Sequence, residues 1–144
     1  MNSTKGTVVL GVAASDAHAV ANHLIAYSLR AAGYDVVNLG TCTPVSEFAE
    51  AVREHPETLA VIIGSLNGHV HEDLRDLREA EIGCPVIVGG NLSVGSRKDA
   101  SALDRLYALG VDHILSRPDQ LPALLEEIAL RRAVGVFTAA VAAS

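Results

Sequence analysis

Three residues near the start of the chain, Asp16-Ala17-His18, have the types and spacing to offer a nitrogen ligand to a metal. They follow the apolar run Thr7–Val12 and precede a helix-like segment that begins near Val20. A carboxylate beside an imidazole can accept the N–H of the ring nitrogen that faces away from the metal, which fixes the tautomer and raises the basicity of the other nitrogen. The same residues also suit a structural role, in which Asp16 caps the helix and His18 is solvated in its first turn.

The stretch from Val9 to Asn22 resembles the start of the small cobalamin-binding subunit of glutamate mutase, whose signature is Asp-x-His-x-x-Gly. Three later segments resemble the rest of that family's pattern, in the same order: Val36-Val37-Asn38-Leu39-Gly40, Gly64-Ser65-Leu66-Asn67-Gly68, and Val88-Gly89-Gly90-Asn91 with Val94-Gly95. The resemblance extends to about Arg132. Four segments in order and at compatible spacing are a more specific signal than any one of them.

The resemblance implies adenosylcobalamin as the cofactor and no catalytic residue on this chain. In the family, the benzimidazole of cobalamin leaves cobalt, a histidine replaces it, and the nucleotide tail inserts between the first helix and the sheet. On this chain His18 would be the axial cobalt ligand and Asp16 its hydrogen-bonded neighbour. The other cofactor-binding residues implied by the motif positions are Ser15, Ala21, Gly64, Ser65, Leu66, Gly68, Gly89, Gly90 and Asn91. By itself, the Gly89-Gly90 pair also fits an ordinary tight turn after a strand.

Two residues depart from the family's pattern. Ala21 stands where the signature ends in Gly, and Gly64 stands where the Ser-x-Leu segment begins with Ser. A misfit methyl group in a packed site costs typically about 1–3 kcal/mol, and loss of a hydroxyl that bonds the buried base costs about 1 kcal/mol. Together they are expected to weaken cobalamin binding about ten- to a thousand-fold, although Gly64 also opens room for the base.

Short β-branched runs alternate with amphipathic segments along the chain, which is typical of a parallel sheet with helices on both faces. The predicted strands are uniformly apolar, as expected for strands buried on both faces, and they cover Thr7–Ala13, Asp35–Leu39, Thr58–Gly64, Pro85–Val88 and Asp112–Leu115. The predicted helices lie near Val20–Ala32, Val45–Glu54, Glu72–Glu79, Asp99–Leu109 and Gln120–Arg131. Leu24, Ile25 and Leu29 fall on one stripe of the first helix, and Gly33 and Gly110 suit left-handed C-caps.

These elements predict an α/β fold of the flavodoxin-like (Rossmann-type) class, with three layers and a five-stranded parallel sheet of order 2-1-3-4-5. Ligands bind such sheets at the carboxyl ends of the strands, near the switch point between the first and third. Asp16 and His18 leave the first strand, Gly64 to Gly68 the third, and Gly89 to Asn91 the fourth, so the topology brings them to one edge. We expect residues 1–132 to form a cobalamin-binding domain and the small apolar stretch 133–144 to be a poorly ordered tail, with packing against a partner subunit as the alternative.

Composition excludes several classes of partner. The 144 residues suffice for one domain that buries roughly two thirds of its unfolded surface. The net charge is −6 and the basic residues are scattered, which argues against nucleic acid or an anionic membrane as partner. No apolar run approaches the ~20 residues of a membrane span. Only two cysteines, Cys42 and Cys84, and no signal peptide are present, so we expect a cytoplasmic protein.

The sequence therefore favours a cobalamin-binding subunit of an adenosylcobalamin-dependent carbon-skeleton mutase, an isomerase. By resemblance it would interconvert L-glutamate and 3-methylaspartate together with a larger, barrel-shaped catalytic subunit. The crevice loops contain no arginine, which carboxylate recognition usually requires, so the substrate site is expected on that partner.

Other functions occur on the same fold. This chain lacks the acidic pair, the aspartate and the lysine that a phosphoacceptor receiver domain requires. It also lacks the hydroxyl-rich phosphate loop and the aromatic residues with which a flavodoxin binds flavin. A stand-alone corrinoid carrier or cobalamin sensor stays open, as does a non-corrinoid flavodoxin-like binding module. His69 and His71 are spaced as two ligands of a separate metal site would be, but no cysteine or carboxylate cluster completes such a site.

Overall fold

Five parallel strands form the central sheet of the computed structural model, which describes residues 4–14, 19–65, 69–90 and 100–143. The strands are β1 Thr7–Val12, β2 Asp35–Asn38, β3 Thr58–Ser65, β4 Val86–Gly90 and β5 His113–Leu115. Their spatial order is β2-β1-β3-β4-β5, and each neighbouring pair is parallel. The predicted flavodoxin-like fold class and strand order are confirmed.

Helices cover both faces of the sheet, and alternate residues of each strand face opposite layers. The helices are α1 Ala19–Ala31, α2 Val45–Glu54, α3 Val70–Asp73, α4 Ala100–Leu109 and α5 Leu121–Ala143, with a 3₁₀ turn at Pro118–Gln120. In β1, Val8 and Leu10 belong to the core cluster under α1 and α5, whereas Val9 belongs to the cluster under α2 and α4. Burial on both sides thus explains the apolar sequences of β1, β3 and β4, whereas the edge strands β2 and β5 are partly exposed.

The glycines after α1 and α4 end these helices as predicted. Gly33 and Gly110 have φ values of 102° and 112°, a conformation that favours glycine. The N–H of Tyr34 donates to the carbonyl oxygen of Leu29 at 3.0 Å, and the N–H of Gly33 donates to Arg30 at 3.1 Å. This is the Schellman pattern, and the equivalent pair of bonds closes α4.

The stripe predicted for α1 is wrong in part. Leu29 is buried, but Leu24 is 65% exposed. The buried positions of α1 are Asn22, Ala26 and Leu29, so the face toward the sheet is rotated from the predicted one. A pattern based on apolar residues missed it because Asn22, a polar residue, occupies one of the inward positions.

The helix predicted over Glu72–Glu79 is also wrong. The regular helix here is the single turn α3, and residues 74–81 follow as turns. The N–H of Leu77 bonds the carbonyl oxygen of Leu74 three residues back, whereas that of Ala80 bonds Asp76 four residues back. This mixed spacing allows Leu74 and Leu77 both to reach the core, and the segment ends at Glu81 with a φ of 51°.

The stretch after residue 132 was expected to be a poorly ordered tail, and it is instead the second half of α5. This helix runs from Leu121 to Ala143 without interruption. Arg132, at its middle, donates from Nη1 to the carbonyl oxygens of Glu57 at 3.1 Å and Thr58 at 3.0 Å. The stretch has no amphipathic period, but its alanines have the highest helix propensity of any residue. Within the described ranges, no helix is long and apolar enough to cross a membrane.

Candidate cofactor-binding site

A cavity of about 270 Å³ lies at the carboxyl edge of the sheet, at the switch point between β1 and β3. Its walls are formed by α1, by the ends of β1, β3, β4 and β5, and by the start of α5. They contain five of the predicted cofactor-binding residues: Ala21, Gly64, Ser65, Gly89 and Gly90. Because ligand pockets usually measure roughly 300–1,000 Å³, this cavity suits one part of a large cofactor.

The remaining predicted site residues lie outside the described part of the chain. These are Ser15, Asp16, His18, Leu66, Gly68 and Asn91. The described segment that leads to them from β1 is held at the cavity, because the N–H of Ala13 donates to the carbonyl oxygen of Gly64 at 3.0 Å. The axial ligation by His18 therefore stays a prediction.

Two buried polar atoms in the cavity wall have no hydrogen-bond partner among the described residues. They are Oγ of Ser65, whose residue is fully buried, and Nδ2 of Asn22, whose residue is 4% exposed. The Oδ1 atom of Asn22 is satisfied, since Nδ2 of Asn38 donates to it at 2.8 Å. A buried polar group without a partner costs about 1–3 kcal/mol. Such atoms in a cavity wall indicate a ligand with polar groups.

Two glycines of the cavity wall, Gly90 and Gly64, differ in how much space surrounds them. A Cβ at Gly90 would lie 2.2 Å from the carbonyl oxygen of Ser65, and the φ of Gly90 is 112°, so a side chain is excluded there. A Cβ at Gly64 would meet only the carbonyl oxygen of Gly11, at 4.0 Å. Gly64 therefore leaves open space where the family's serine would stand. Gly89 and Gly90 are the last residues of β4 and pair with β3, so the alternative of a simple tight turn is wrong.

The sequence missed the part of the wall that follows β5. Residues 115–118 and Leu121 line the cavity, and Arg117 is among them. The expectation that the crevice loops lack an arginine is therefore wrong. The fifth strand ends at the same edge of the sheet as the others, and this predicted topology could have indicated that the residues after it line the site. Asn22 follows the Asp-x-His-x-x-Gly signature, which ends at Ala21, so the signature does not indicate it.

No second metal centre is found among the described residues, where no group of three or more His, Cys, Asp and Glu side chains could hold an ion. Nδ1 of His69 lies 3.9 Å from a carboxylate oxygen of Glu72. Cys84 lies near the amino end of β4, where burial raises the pKa of its thiol to about 11. A protonated thiol is a poor metal ligand at neutral pH.

Residues 6–116 match the model of the B12 binding domain. A glutamate mutase sigma subunit of Halobacterium salinarum is 37% identical over 132 residues, which cover 89% of this chain and 88% of that protein. A sigma subunit of Carboxydothermus hydrogenoformans is 38% identical over 133 residues, covering 85% and 96%. The chain belongs to the glutamate mutase sigma subunit family. A sigma subunit from Treponema denticola is 38% identical over 112 residues, which cover 74% of this chain and 80% of that protein.

Solved structures agree with the sigma subunit assignment at the level of the fold. The methanol:cobalamin methyltransferase complex MtaBC from Methanosarcina barkeri has a chain that is 26% identical, with a TM-score of 0.71, over 89% of this chain and 48% of that chain. A cobalamin-binding protein from Desulfitobacterium hafniense has a TM-score of 0.62 at 16% identity, over 90% of this chain and 59% of that chain. The sigma subunit chain therefore spans about half the length of these two structural neighbours.

Proposed function

We propose that this chain is the cobalamin-binding component of an adenosylcobalamin-dependent glutamate mutase, which interconverts L-glutamate and 3-methylaspartate. The observation that carries the proposal is the cavity at the switch point, with the unpartnered Ser65 Oγ and Asn22 Nδ2 in its wall. Membership of the sigma subunit family supports the reaction. A separate large catalytic subunit, barrel-shaped by resemblance, would complete the enzyme as a cytoplasmic heteromer.

The cavity fits the nucleotide tail of a cobalamin rather than its corrin ring. Its apolar wall, which includes Leu10, Ile62 and Ile87, suits the flat heterocyclic base. The two unpartnered polar atoms would bond the nitrogen of that base or the hydroxyls of its ribose. A volume of about 270 Å³ accommodates a base and sugar and leaves the corrin outside, at the carboxyl edge of the sheet.

With the tail in this cavity, His18 would be the axial ligand of cobalt, and Asp16 would hold the ring of His18 in one tautomer. Ser15, Leu66, Gly68 and Asn91 would complete the contacts around the cofactor. Radical chemistry is supplied by adenosylcobalamin when it is bound. This chain would bind the tail, orient the corrin through His18 and keep water from the face of the corrin that His18 occupies.

The substrate site belongs on the large subunit in this proposal. Arg117 is the one charged side chain in the described cavity wall, and its Nε atom lies 3.3 Å from Oδ1 of Asp119. One arginine beside an otherwise apolar cavity does not make a binding site for an amino-acid substrate, which carries an ammonium group as well as carboxylates.

The proposal predicts that the chain has no turnover alone and gains it from a partner. Methylaspartate formation from L-glutamate is measured with adenosylcobalamin and the chain, with the large subunit of a glutamate mutase, and with both proteins. We expect activity only when both are present, because neither alone has the cofactor and the substrate sites. Turnover by the isolated chain, or none in the mixture although cobalamin binds, would contradict the two-component proposal.

A corrinoid carrier for methyl transfer is the second candidate, favoured by the likeness to the methyltransferase complex. It predicts that the cobalt(I) form of the protein accepts a methyl group from a methyl donor and passes it to a thiol acceptor. The mutase proposal predicts stimulation of L-glutamate turnover instead. Running both assays on one cobalamin-loaded preparation separates the two functions.

A further inference from the structure

An arginine stands at the mouth of the cavity, in a place that none of the motif segments covers. Arg117 lies directly before the 3₁₀ turn Pro118–Gln120, and its side chain is 70% exposed although the residue forms part of the cavity wall. It is the single charged residue in the described lining. Arg117 therefore lies where the apolar cavity meets solvent.

The loop that carries Arg117 is fixed by one side chain. Oε1 of Gln120 accepts from the backbone N–H of Ser116, from the hydroxyl of Ser116 and from the backbone N–H of Arg117, each at 3.2 Å. Three bonds to one oxygen hold the exit of β5 in a single arrangement. These bonds fix the backbone from which the Arg117 side chain extends at the cavity mouth.

The chemistry of the tail gives this cation a partner. A nucleotide tail joins its base and ribose to the corrin through a phosphodiester, which carries one negative charge. With the base inside the cavity, the phosphodiester emerges at the mouth. Guanidinium groups bind phosphate oxygens through paired, charge-assisted hydrogen bonds. In a chain of net charge −6, one positive group at this point matters for an anionic ligand.

We infer that Arg117 binds the phosphodiester of the cobalamin nucleotide tail and selects cofactors with a complete tail. The inference rests on the proposed function, because it takes the cavity as the site of the tail. Asp119 opposes this role, since its carboxylate competes for the guanidinium and repels the phosphate. Loss of Arg117 and loss of the Asp119 charge should therefore change affinity in opposite directions. A purely structural ion pair would make both changes harmful.

The test uses the tail as a free fragment, α-ribazole, with and without its 3′-phosphate. Equilibrium titrations compare the unaltered chain with Arg117→Gln, Asp119→Asn and the control Arg131→Gln, whose residue pairs with Glu127 on α5 and does not line the cavity. The unaltered chain should bind the phosphorylated fragment about three- to tenfold more tightly, as expected for an exposed ionic contact. The preference should vanish in Arg117→Gln, grow in Asp119→Asn and persist in Arg131→Gln.

The same titrations with complete cobalamin separate this inference from the proposed function. If the unaltered chain binds cobalamin but Arg117→Gln keeps the full phosphate preference, the role of Arg117 is wrong and the proposed function stands. If the unaltered chain binds neither cobalamin nor the fragments, the proposed function itself fails. The phosphate preference should also shrink when salt rises from about 0.05 to about 0.5 M, because exposed charges are screened. A preference that is independent of salt would overturn the ionic contact.

Discussion

Ser65 is the residue whose surroundings point most directly to a ligand. Its hydroxyl is fully buried in the cavity wall and has no partner among the described residues. Thr43, by contrast, is a buried residue whose hydroxyl is 3.2 Å from the carbonyl oxygen of Gly40. Both hydroxyls belong to buried residues, but only that of Thr43 has a hydrogen-bond partner, so Thr43 can serve as a control for Ser65.

Replacing Ser65 by alanine should raise the stability of the cofactor-free protein while weakening its cofactor binding. Removing an unsatisfied buried hydroxyl is expected to raise the free energy of unfolding by about 1 kcal/mol. The dissociation constant for cobalamin should increase about fivefold, since about 1 kcal/mol of ligand contact is lost. Chemical denaturation and spectroscopic titration measure the two effects. Thr43→Val, the control, should lower stability and leave binding intact; a Ser65→Ala variant that behaves like it would refute the role given to this hydroxyl.

Ala21 is half-buried in the same wall, where the family signature has glycine. If its methyl group opposes insertion of the tail, Ala21→Gly should lower the dissociation constant for cobalamin several-fold. The same change should lower the free energy of unfolding by up to about 1 kcal/mol, because glycine disfavours a helix. Cobalamin titration and chemical denaturation of the unaltered chain and of Ala21→Gly, under identical conditions, measure the two effects. Unchanged or weaker binding would mean that the protein has repacked around the methyl through the space beside Gly64.

The family resemblance named five of the described residues that line the cavity, and their contact with the cofactor stays a prediction. Ala21, Gly64, Ser65, Gly89 and Gly90 were named from the sequence, and all five line one cavity. The sequence could not identify the unpartnered atoms of the wall, because a missing hydrogen bond is a property of the packed structure. It missed the arginine after β5 for a similar reason, since no motif covers that loop.

At the scale of elements, the strands were predicted to within about two residues. Burial on both faces makes the central strands β1, β3 and β4 apolar, and the shorter edge strands β2 and β5 contain β-branched residues, which favour strands. Helices depend on details that the apolar pattern does not carry. The inward position of Asn22 rotates α1. After α3, backbone hydrogen bonds that span three residues in some places and four in others replace a regular helix by turns.

The second half of α5 is the element in which sequence and structure differ most, and Gly135 tests it. A Cβ at Gly135 would contact nothing within 4 Å, so alanine fits there without strain. In a formed helix, Gly135→Ala should raise the free energy of unfolding by up to about 1 kcal/mol. The exposed neighbour Ala133 provides the reverse change, and Ala133→Gly should lower it by a similar amount. Thermal unfolding followed by far-UV circular dichroism measures both; no effect of either substitution would mean that this stretch is frayed in solution.

At the scale of the whole molecule, the strand order is what makes a site from distant segments. The exits of β1 and β3 meet at the switch point, and the exits of β4 and β5 complete the wall. The alternation of strands and helices was enough to predict this topology, because parallel strands with helical crossovers have few arrangements. The volume of the cavity and the chemistry of its mouth follow from packing, which no pattern of residue types contains.

The most direct test of the cobalamin-binding role is the electron paramagnetic resonance spectrum of the chain loaded with Co(II) cobalamin. If His18 replaces the benzimidazole on cobalt, as we propose, the nitrogen superhyperfine splitting should change from three lines to two when histidine is labelled with nitrogen-15. The labelled His23→Gln variant, altered at an exposed residue of α1, should give the same change, whereas His18→Ala should lose it. A splitting that ignores the label in the unaltered chain, or a response to the label that survives in His18→Ala, would contradict the binding mode proposed for this chain.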